Sequence, residues 1–274
     1  MVREFAHAKL NLVLHVGRPR ADGMHPVCSI VASIALADDI VAEPKDAGED
    51  TVECEGVPGH NLAARALAEF RSRAGGDLPP LAVTIHKRVP VAAGLGGGSA
   101  DAAATLRIAN TLAGGPLTAE ELLRLAAGLG SDVPAMLEPG HTLVQGTGER
   151  VEAVTLPALA AVLIPDSDGL STAAVYAELD RMNAGREELD AEPLRGLAGS
   201  SADELCAALE NDLELAALSL RPDLRNRLDA LTAAGARGAA VSGSGPTCFG
   251  LFADRAAADA AADELPGALV TELR

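Results

Sequence analysis

Four of the five residues from 94 to 98 are glycine, and an alanine-rich helical pattern follows them directly. Glycine is costly to order, so a run of glycines beside a helix needs a physical reason. One reason is a flexible turn without chemical importance. The other is that missing Cβ atoms let a phosphate reach the unpaired backbone N–H groups at the positive end of the helix. This segment alone leaves both interpretations open.

The spacing excludes two common phosphate loops. A Walker A loop needs Gly-Lys-Ser/Thr, but Gly98 is followed by Ser99 and Ala100. A dinucleotide fingerprint needs a third glycine where this chain has Ser99. If the loop binds phosphate, the Ser99 hydroxyl can donate to it or support a magnesium ion.

The hydropathy pattern predicts an irregular mixture of strands and helices. In the first part of the chain, strands are predicted at 5–16, 27–36, 81–87 and in a hairpin at 141–153. Helices are predicted from a cap at Asn61 to about 72, from about Ser99 to Leu112, and from a Thr118–Glu121 capping box to Gly128–Gly130. This mixture favours an α+β fold over a doubly wound sheet.

The pattern changes near residue 155, which predicts two domains, 1–155 and 156–274. The second is predicted to contain a strand near 160–166, a helix carrying Tyr176, a loop over 184–202, two helices within 202–233, a strand–turn–strand unit at 239–252, a further helix and a final strand.

The alternation over residues 5–16 places Lys9 and Asn11 on the same face of a strand. A solvated strand face explains a lysine there as well as a functional site does, so the strand alone assigns no role to Lys9.

Composition limits the function classes. The formal charge is −17 and lysine occurs only at three positions, which argues against nucleic acid as a partner. The four cysteines are widely spaced, which argues against a zinc site or a disulfide framework. The N-terminus does not have the pattern of a signal peptide, and no run reaches the ~18 apolar residues of a spanning helix. We therefore expect a cytoplasmic protein with reduced thiols and a small-molecule partner, without membrane contact, as a monomer or weak homodimer.

Three segments in one order resemble the GHMP kinase superfamily of small-molecule kinases. They are AKLNLVLH at 8–15, PVAAGLGGGSA at 90–100 and VSGSGPTC at 241–248. The flanking residues are similar to the 4-diphosphocytidyl-2-C-methyl-D-erythritol kinase family, namely AKLNLVLHVGRPRADGMH at 8–25, GSDVP at 130–134 and LSTAAVY at 170–176. The resemblance implies an α+β, two-domain GHMP kinase fold, with an N-terminal domain like domain 2 of ribosomal protein S5 and a ferredoxin-like C-terminal domain.

The resemblance also implies the nucleotide site. ATP is the expected co-substrate with Mg²⁺, and no protein residue is assigned as a metal ligand. The expected ATP-binding residues are Asn61 and Lys87 on the adenine side, with Pro90, Gly94, Leu95, Gly96, Gly97, Gly98 and Ser99 around the phosphates.

For the acceptor, the resemblance implies Asp132 as the general base and Lys9 as its neighbouring cation, which holds the carboxylate ionised and favours the alkoxide. An alternative for Asp132 is an N-cap before Val133 and Pro134.

Asn11 and His25 would hold the cytidine end, and Tyr176 would stack on cytosine, although a packed helix residue explains Tyr176 equally well. Met24 stands where the family usually has an aromatic residue, and Val31 where it often has Phe. Two alternatives follow: a GHMP kinase with a non-cytidine acceptor, or a non-catalytic metabolite-binding paralogue.

Overall fold

A computed structural model describes residues 1–54, 56–57, 61–74, 78–166 and 168–274. Contacts group the chain into two compact units. Unit 1 comprises Met1–Ala8, Leu36–Val89 and Gly96–Pro139, and unit 2 comprises Lys9–Ala35, Pro90–Leu95 and Gly140–Arg274. The strands β1 (Val2–Val16) and β2 (Val27–Pro44) each contribute residues to both units, so this grouping differs from a single cut near residue 155. The two sequence domains stay a prediction.

Unit 1 combines a small sheet with three helices. Strand β4 (Leu81–His86) pairs antiparallel with the second half of β2 and parallel with β3 (Thr51–Cys54). The helices are α1 (Leu62–Ala74), α2 (Gly97–Leu112) and α3 (Ala119–Leu129), followed by a 3-10 turn at Pro134–Met136. The α2 residues facing the core are mostly alanine, and their small side chains let α2 pack beside α1 around Phe70.

Unit 2 contains two groups of strands. The first half of β2 pairs antiparallel with β5 (His141–Gly146), which forms a hairpin with β6 (Arg150–Val154). The end of β1 pairs in parallel with the two-residue strand β8 (Glu210–Asn211). The antiparallel pairing of β5 with β6 confirms the predicted hairpin at 141–153. Gly146 and Gly148 both take positive φ at its turn.

The second sheet of unit 2 has the order β11–β7–β10–β9 with antiparallel neighbours. Its strands are β7 (Ala160–Ile164), β9 (Gly238–Val241), β10 (Cys248–Phe252) and β11 (Leu269–Glu272). The accompanying helices are α4 (Thr172–Met182), α5 (Glu192–Arg195), α6 (Ala202–Ala207), α7 (Glu214–Leu220), α8 (Leu224–Ala233) and α9 (Arg255–Asp263). Strand order and pairing are those of a ferredoxin-like sheet with extra helices between its first two strands.

Most predicted elements are present, with several corrections. Strand β2 continues to Pro44, well past the predicted end at residue 36, and α2 begins at Gly97 rather than Ser99. The predicted loop at 184–202 contains α5, and the region 202–233 holds three helices rather than two.

The alternation over residues 5–16 suggests a half-buried strand, but exposed and buried residues alternate only in the first part of β1 and the rest is buried. Lys9 and Asn11 are each 5% exposed, so a solvated strand face is the wrong explanation for Lys9.

Candidate active site

The glycine-rich segment ends at the first turn of helix α2. Gly96 is the N-cap residue, with φ 69°, and as a glycine it has no side chain with which to cap the helix. Gly98 is exposed, and a Cβ atom built on it would meet nothing within 4 Å. Ser99 is half-buried in the same turn. The uncapped N–H groups and the clear space at Gly98 make this helix end suited to an anion.

Gly94 has a different reason to be glycine. Its φ is +78°, and a Cβ atom there would lie 2.6 Å from the Gly245 carbonyl oxygen and 2.8 Å from that of Ser242. The Ser242 hydroxyl donates to the Gly94 carbonyl at 3.2 Å. The structure therefore brings the glycine-rich segments at 94 and 241–248 together within unit 2, and Gly94 is needed for that approach.

Leu95 and Pro90 belong to the same loop but differ from the glycines. The Leu95 side chain is 1% exposed and lies in the core, while its carbonyl accepts from the Lys9 backbone N–H at 3.0 Å. Pro90 is half-buried. Any contact of Leu95 with a nucleotide is therefore restricted to its backbone.

Lys9 and Asn11 form a buried polar chain on β1. The Lys9 ammonium donates to Asn11 Oδ1 at 2.5 Å, and Asn11 Nδ2 donates to the Ser29 hydroxyl at 3.0 Å. Ser29 in turn donates to the Val13 carbonyl at 2.7 Å. A Cβ atom on Gly243 would lie 3.2 Å from Lys9 Nζ, so the 241–248 turn covers this ammonium.

Asn211 is hydrogen-bonded to the 241–248 turn, and the sequence analysis missed this residue. Its amide nitrogen donates to the carbonyls of Val241 and Gly243, both at 2.8 Å, and its oxygen accepts from the Leu213 N–H. Asn211 is 9% exposed. Asn211 interrupts the Leu- and Ala-rich segment within 202–233, and a polar amide there is the signal that could have found it, since buried amides need partners.

His25 and Tyr176 lie side by side in unit 2. Their ring centroids are 4.9 Å apart with an interplanar angle of 53°. The His25 side chain is 7% exposed, with Nδ1 2.8 Å from the Gly17 carbonyl oxygen. Met24 is 46% exposed. The structure thus joins two of the residues expected at the cytidine end and leaves the Met24 side chain open to solvent.

Lys87 belongs to a buried ion network of unit 1. Its ammonium lies 2.5 Å from an Asp38 oxygen and 2.8 Å from an Asp101 oxygen. Asp38 is fully buried and also accepts from the backbone N–H groups of Arg88 and Val89. The sequence analysis missed both carboxylates. For Asp38, the signal that could have found it is the pair of acidic residues at 38 and 39 in an otherwise apolar segment.

The network shifts two pKa values. Burial opposes the charge of Lys87, but Asp101 and Asp38 outweigh burial and raise the pKa of the ammonium. Burial raises the pKa of the Asp101 carboxyl to about 7, with Lys87 opposing the shift and Asp38 adding to it. Among the described residues, the second Asp101 oxygen, Oδ1, is buried without a hydrogen-bond partner.

Asn61 and Asp132 lie in unit 1 at helix boundaries. Asn61 caps α1 as predicted, because its Oδ1 accepts from the Ala64 N–H at 2.7 Å. Asp132 is half-buried in the turn after α3. The N-cap of the following 3-10 turn is Val133, without a side-chain cap, so the alternative of Asp132 as N-cap is wrong.

No group of three or more His, Cys, Asp or Glu residues is arranged to hold a metal ion in the described ranges. Within the same ranges, no helix has the length and apolar character needed to cross a bilayer.

Comparison with known proteins extends over most of the chain. A model of the GHMP kinases N terminal domain matches residues 61–140, and a model of the GHMP kinases C terminal domain matches residues 187–271. A 4-diphosphocytidyl-2-C-methyl-D-erythritol kinase from Streptomyces avermitilis is 43% identical, covering 94% of this chain and 90% of the relative. A kinase of that name from Streptomyces coelicolor is 42% identical over 93% of this chain and 89% of the relative. The crystal structure of a 4-(cytidine 5′-diphospho)-2C-methyl-D-erythritol kinase matches with a TM-score of 0.85 and 33% identity, covering 99% of both chains.

Proposed function

This chain belongs to the GHMP kinase family, and from that premise we propose that it transfers the γ-phosphoryl group of ATP to the 2-hydroxyl group of 4-diphosphocytidyl-2-C-methyl-D-erythritol, in non-mevalonate isoprenoid biosynthesis. The observation that carries this proposal is 43% identity over 94% of the chain to a kinase named for that substrate. Phosphoryl transfer requires mainly positioning and electrostatic stabilisation, so the proposed residues are judged by what they can hold in place.

The ATP phosphates are proposed to bind at the start of α2, against the N–H groups of Gly97, Gly98 and Ser99. The glycine at the N-cap, which offers no side-chain cap, and the open space at Gly98 support this assignment. Asn61 and Lys87 are proposed to support the adenine side indirectly, since Asn61 caps α1 and Lys87 pairs with two carboxylates.

Magnesium fits this arrangement because it keeps several waters and binds largely through substrate phosphates. The protein ligand that we propose is the Ser99 hydroxyl. When bound, the ion neutralises charge on the transferring phosphoryl group.

Gly98→Ala tests the phosphate assignment. A Cβ atom at Gly98 has free space in the protein, so we expect it to clash only with a bound ligand. We expect the KM for ATP to rise about tenfold, the loss of roughly one charge-assisted hydrogen bond. Gly128→Ala in α3 is the matched control, because a Cβ atom there also meets nothing within 4 Å. Equal KM values for both variants would show that the phosphates do not bind at this helix end.

Asp132 is proposed as the general base for the acceptor hydroxyl, and Lys9 as the cation that stabilises the developing alkoxide. The deep burial of Lys9 supports the second role, because a buried charge acts more strongly than a solvated one. Asn11, His25, Tyr176 and Met24 are proposed to hold the cytidine end, and the contact between His25 and Tyr176 supports this.

The direct test is ATP consumption by the purified protein with this acceptor and magnesium. Asp132→Asn should lower kcat by about 10²–10⁴-fold, the usual contribution of a general base. Asp229→Asn, an exposed carboxylate on α8, controls for the charge change. A rate for Asp132→Asn within about tenfold of wild type would reject the base assignment.

We further propose that the protein works in the cytoplasm as a monomer or weak homodimer, without nucleic acid or membrane partners. The excess of acidic residues supports the absence of nucleic acid. The four cysteines are free thiols, which fits a reducing compartment.

A further inference from the structure

Ser29 on β2 is the last side chain of the buried polar chain that begins at Lys9. Lys9 and Asn11 are each 5% exposed, and Ser29 is 1% exposed. The Ser29 oxygen lies 3.0 Å from Asn11 Nδ2 and 2.7 Å from the Val13 carbonyl oxygen. Burial excludes most competing water, so the groups of the chain themselves set the direction of each hydrogen bond.

The Val13 carbonyl fixes the direction of the whole chain. A carbonyl oxygen only accepts and a serine hydroxyl has one proton, so Ser29 donates that proton to Val13. Ser29 is then an acceptor toward Asn11, which requires the amide nitrogen of Asn11 at this end. The amide oxygen of Asn11 must therefore point the other way, where it lies 2.5 Å from Lys9 Nζ.

The reversed amide of Asn11 would lack a partner at both ends. Its NH₂ group would face the Lys9 ammonium, and neither of these groups accepts a hydrogen bond. Its oxygen would face Ser29, whose proton already goes to the Val13 carbonyl. A Cβ atom on Gly243 would lie 3.1 Å from Asn11 Oδ1 and 3.2 Å from Lys9 Nζ, so this glycine lies close to both groups and limits their movement.

We propose that Ser29 is a positioning residue for phosphoryl transfer, because it orients the Asn11 amide so that the amide oxygen holds the Lys9 ammonium at the acceptor hydroxyl. This inference rests on the proposed function, which places Lys9 beside the developing alkoxide. An electrostatic contact of that kind stabilises the transition state when its donor is already held in place. Ser29 bonds to Asn11 and to the Val13 carbonyl, so it acts on the reaction through Asn11 and Lys9.

Ser29→Ala is the main test, because it removes one hydroxyl group and changes little else of the side chain. In this variant the Asn11 NH₂ group loses its acceptor and the Val13 carbonyl loses its donor. We expect kcat with the cytidine substrate to fall about tenfold, the value of one hydrogen bond, while the KM for ATP stays within about twofold. Ser29→Thr retains the hydroxyl and is compatible with a strand, so its kcat should stay close to that of wild type.

Ser33→Ala is the matched control, four residues further along β2. Ser33 is 8% exposed, and its hydroxyl makes no hydrogen bond to the described residues. Its removal should therefore leave kcat unchanged. An equal fall of kcat in both variants would assign the effect to the packing of β2 and overturn the proposal.

A double-mutant cycle separates action through Lys9 from a general effect on the fold. In the Lys9→Met background no ammonium remains to be positioned, so adding Ser29→Ala should change kcat by less than about twofold. An equal loss of kcat in both backgrounds would show that Ser29 does not act through Lys9, and the proposal would be wrong.

Nuclear magnetic resonance tests the orientation of the amide without any substrate. The side-chain NH₂ signals of Asn11, assigned by their loss in Asn11→Asp, should include a proton that exchanges slowly with solvent. Ser29→Ala should remove that protection. Two rapidly exchanging protons in wild type would overturn the proposal, whatever the activity.

Kinetics separate this inference from the proposed function. If wild type phosphorylates the cytidine substrate and Ser29→Ala keeps kcat within about twofold of wild type, below the loss of one hydrogen bond, this inference alone is wrong. If the Asn11 proton is protected but wild type does not turn over the cytidine substrate, the proposed function fails, and the positioning role of Ser29 fails with it.

Discussion

Lys9 and Lys87 are two of the three lysines in the chain, and both are withdrawn from water, but their ammonium groups have different partners. Lys87 is held by two carboxylates, Asp38 on β2 and Asp101 on α2. Lys9 donates to the neutral amide of Asn11, which supplies a hydrogen bond and no charge. Each ammonium also lies close to a glycine. A Cβ atom on Gly97 would lie 3.2 Å from Lys87 Nζ, and one on Gly243 would lie 3.2 Å from Lys9 Nζ. Lys87 thus belongs to an ion network inside unit 1, whereas Lys9 is the lysine that we propose to act on the acceptor.

The largest expected effect is on activity at Lys9. Lys9→Met keeps the length of the side chain and removes its charge, so kcat should fall by about 10²–10³-fold, as when one preorganised electrostatic contact is lost. The substitution also removes the donor to the buried Asn11 Oδ1, which should cost about 1–3 kcal/mol of unfolding free energy. Steady-state kinetics and urea unfolding measure the two quantities. A strongly destabilised but active variant would make Lys9 structural and end the contrast.

Lys87→Met should reduce mainly the stability of the protein rather than its kcat. It leaves two buried carboxylates without their cation, which typically costs about 3–5 kcal/mol of unfolding free energy. Urea unfolding at pH 8 is the measurement, with Lys45→Met, an exchange at the third lysine, as control. A cost below about 1 kcal/mol would show that the network contributes little to stability, like an exposed ion pair.

The glycines above the two lysines offer a matched pair of smaller effects. Gly243 has φ +58°, and its Cβ atom would lie 3.1 Å from Asn11 Oδ1 and 3.2 Å from Lys9 Nζ. Gly243→Ala should therefore cost about 1–2 kcal/mol for the left-handed backbone, with further loss from the contacts.

Gly97 is helical, and the three atoms nearest to its Cβ position belong to side chains, with Val89 at 3.0 Å and Lys87 Nζ at 3.2 Å. The gain in helix propensity from alanine, about 1 kcal/mol, should offset most of this crowding. Thermal unfolding of both variants compares them directly. Equal losses would contradict the idea that the turn above Lys9 is the more constrained of the two.

The smallest effect, counted per half-unit pH step, concerns the pH dependence of the Lys87 network. The pKa of Asp101 is raised from 3.8 to about 7, so between those values the native state keeps a proton that the unfolded chain has released. Stability should therefore fall as pH rises from about 4 to about 7, by at most about 1.4 kcal/mol per pH unit. Asp101→Asn should flatten this part of the profile. Urea unfolding of both proteins at half-unit pH steps checks the slope, and identical slopes would assign the dependence to other groups.

Local patterns predicted much of the fold because they act over a few residues. The period-two pattern located β1, the capping box located α3, and Asn61 located the start of α1. The prediction failed where a local signal was weak, as for α5 within a polar stretch and for β2 beyond residue 36. The candidate site followed from motifs, and Asn211 carries no motif of its own.

The sequence by itself determined that a glycine-rich segment opens a helix, that Lys9 and Asn11 share a strand face, and that the chain resembles GHMP kinases. These properties depend on spacing and residue type, which a linear chain already contains. Only the tertiary structure decided which glycine has which purpose. Gly94 lies against the carbonyls of Ser242 and Gly245, whereas Gly98 has open space. Nothing in the residue types around these two glycines distinguishes their purposes.

The tertiary structure likewise decided the partners of Lys9, Lys87 and His25. Contacts such as Lys87 with Asp38 join residues 49 positions apart, and that of His25 with Tyr176 joins more distant ones. Long-range pairing depends on how the sheets and helices pack, and packing energies are summed over many residues rather than written in any one segment.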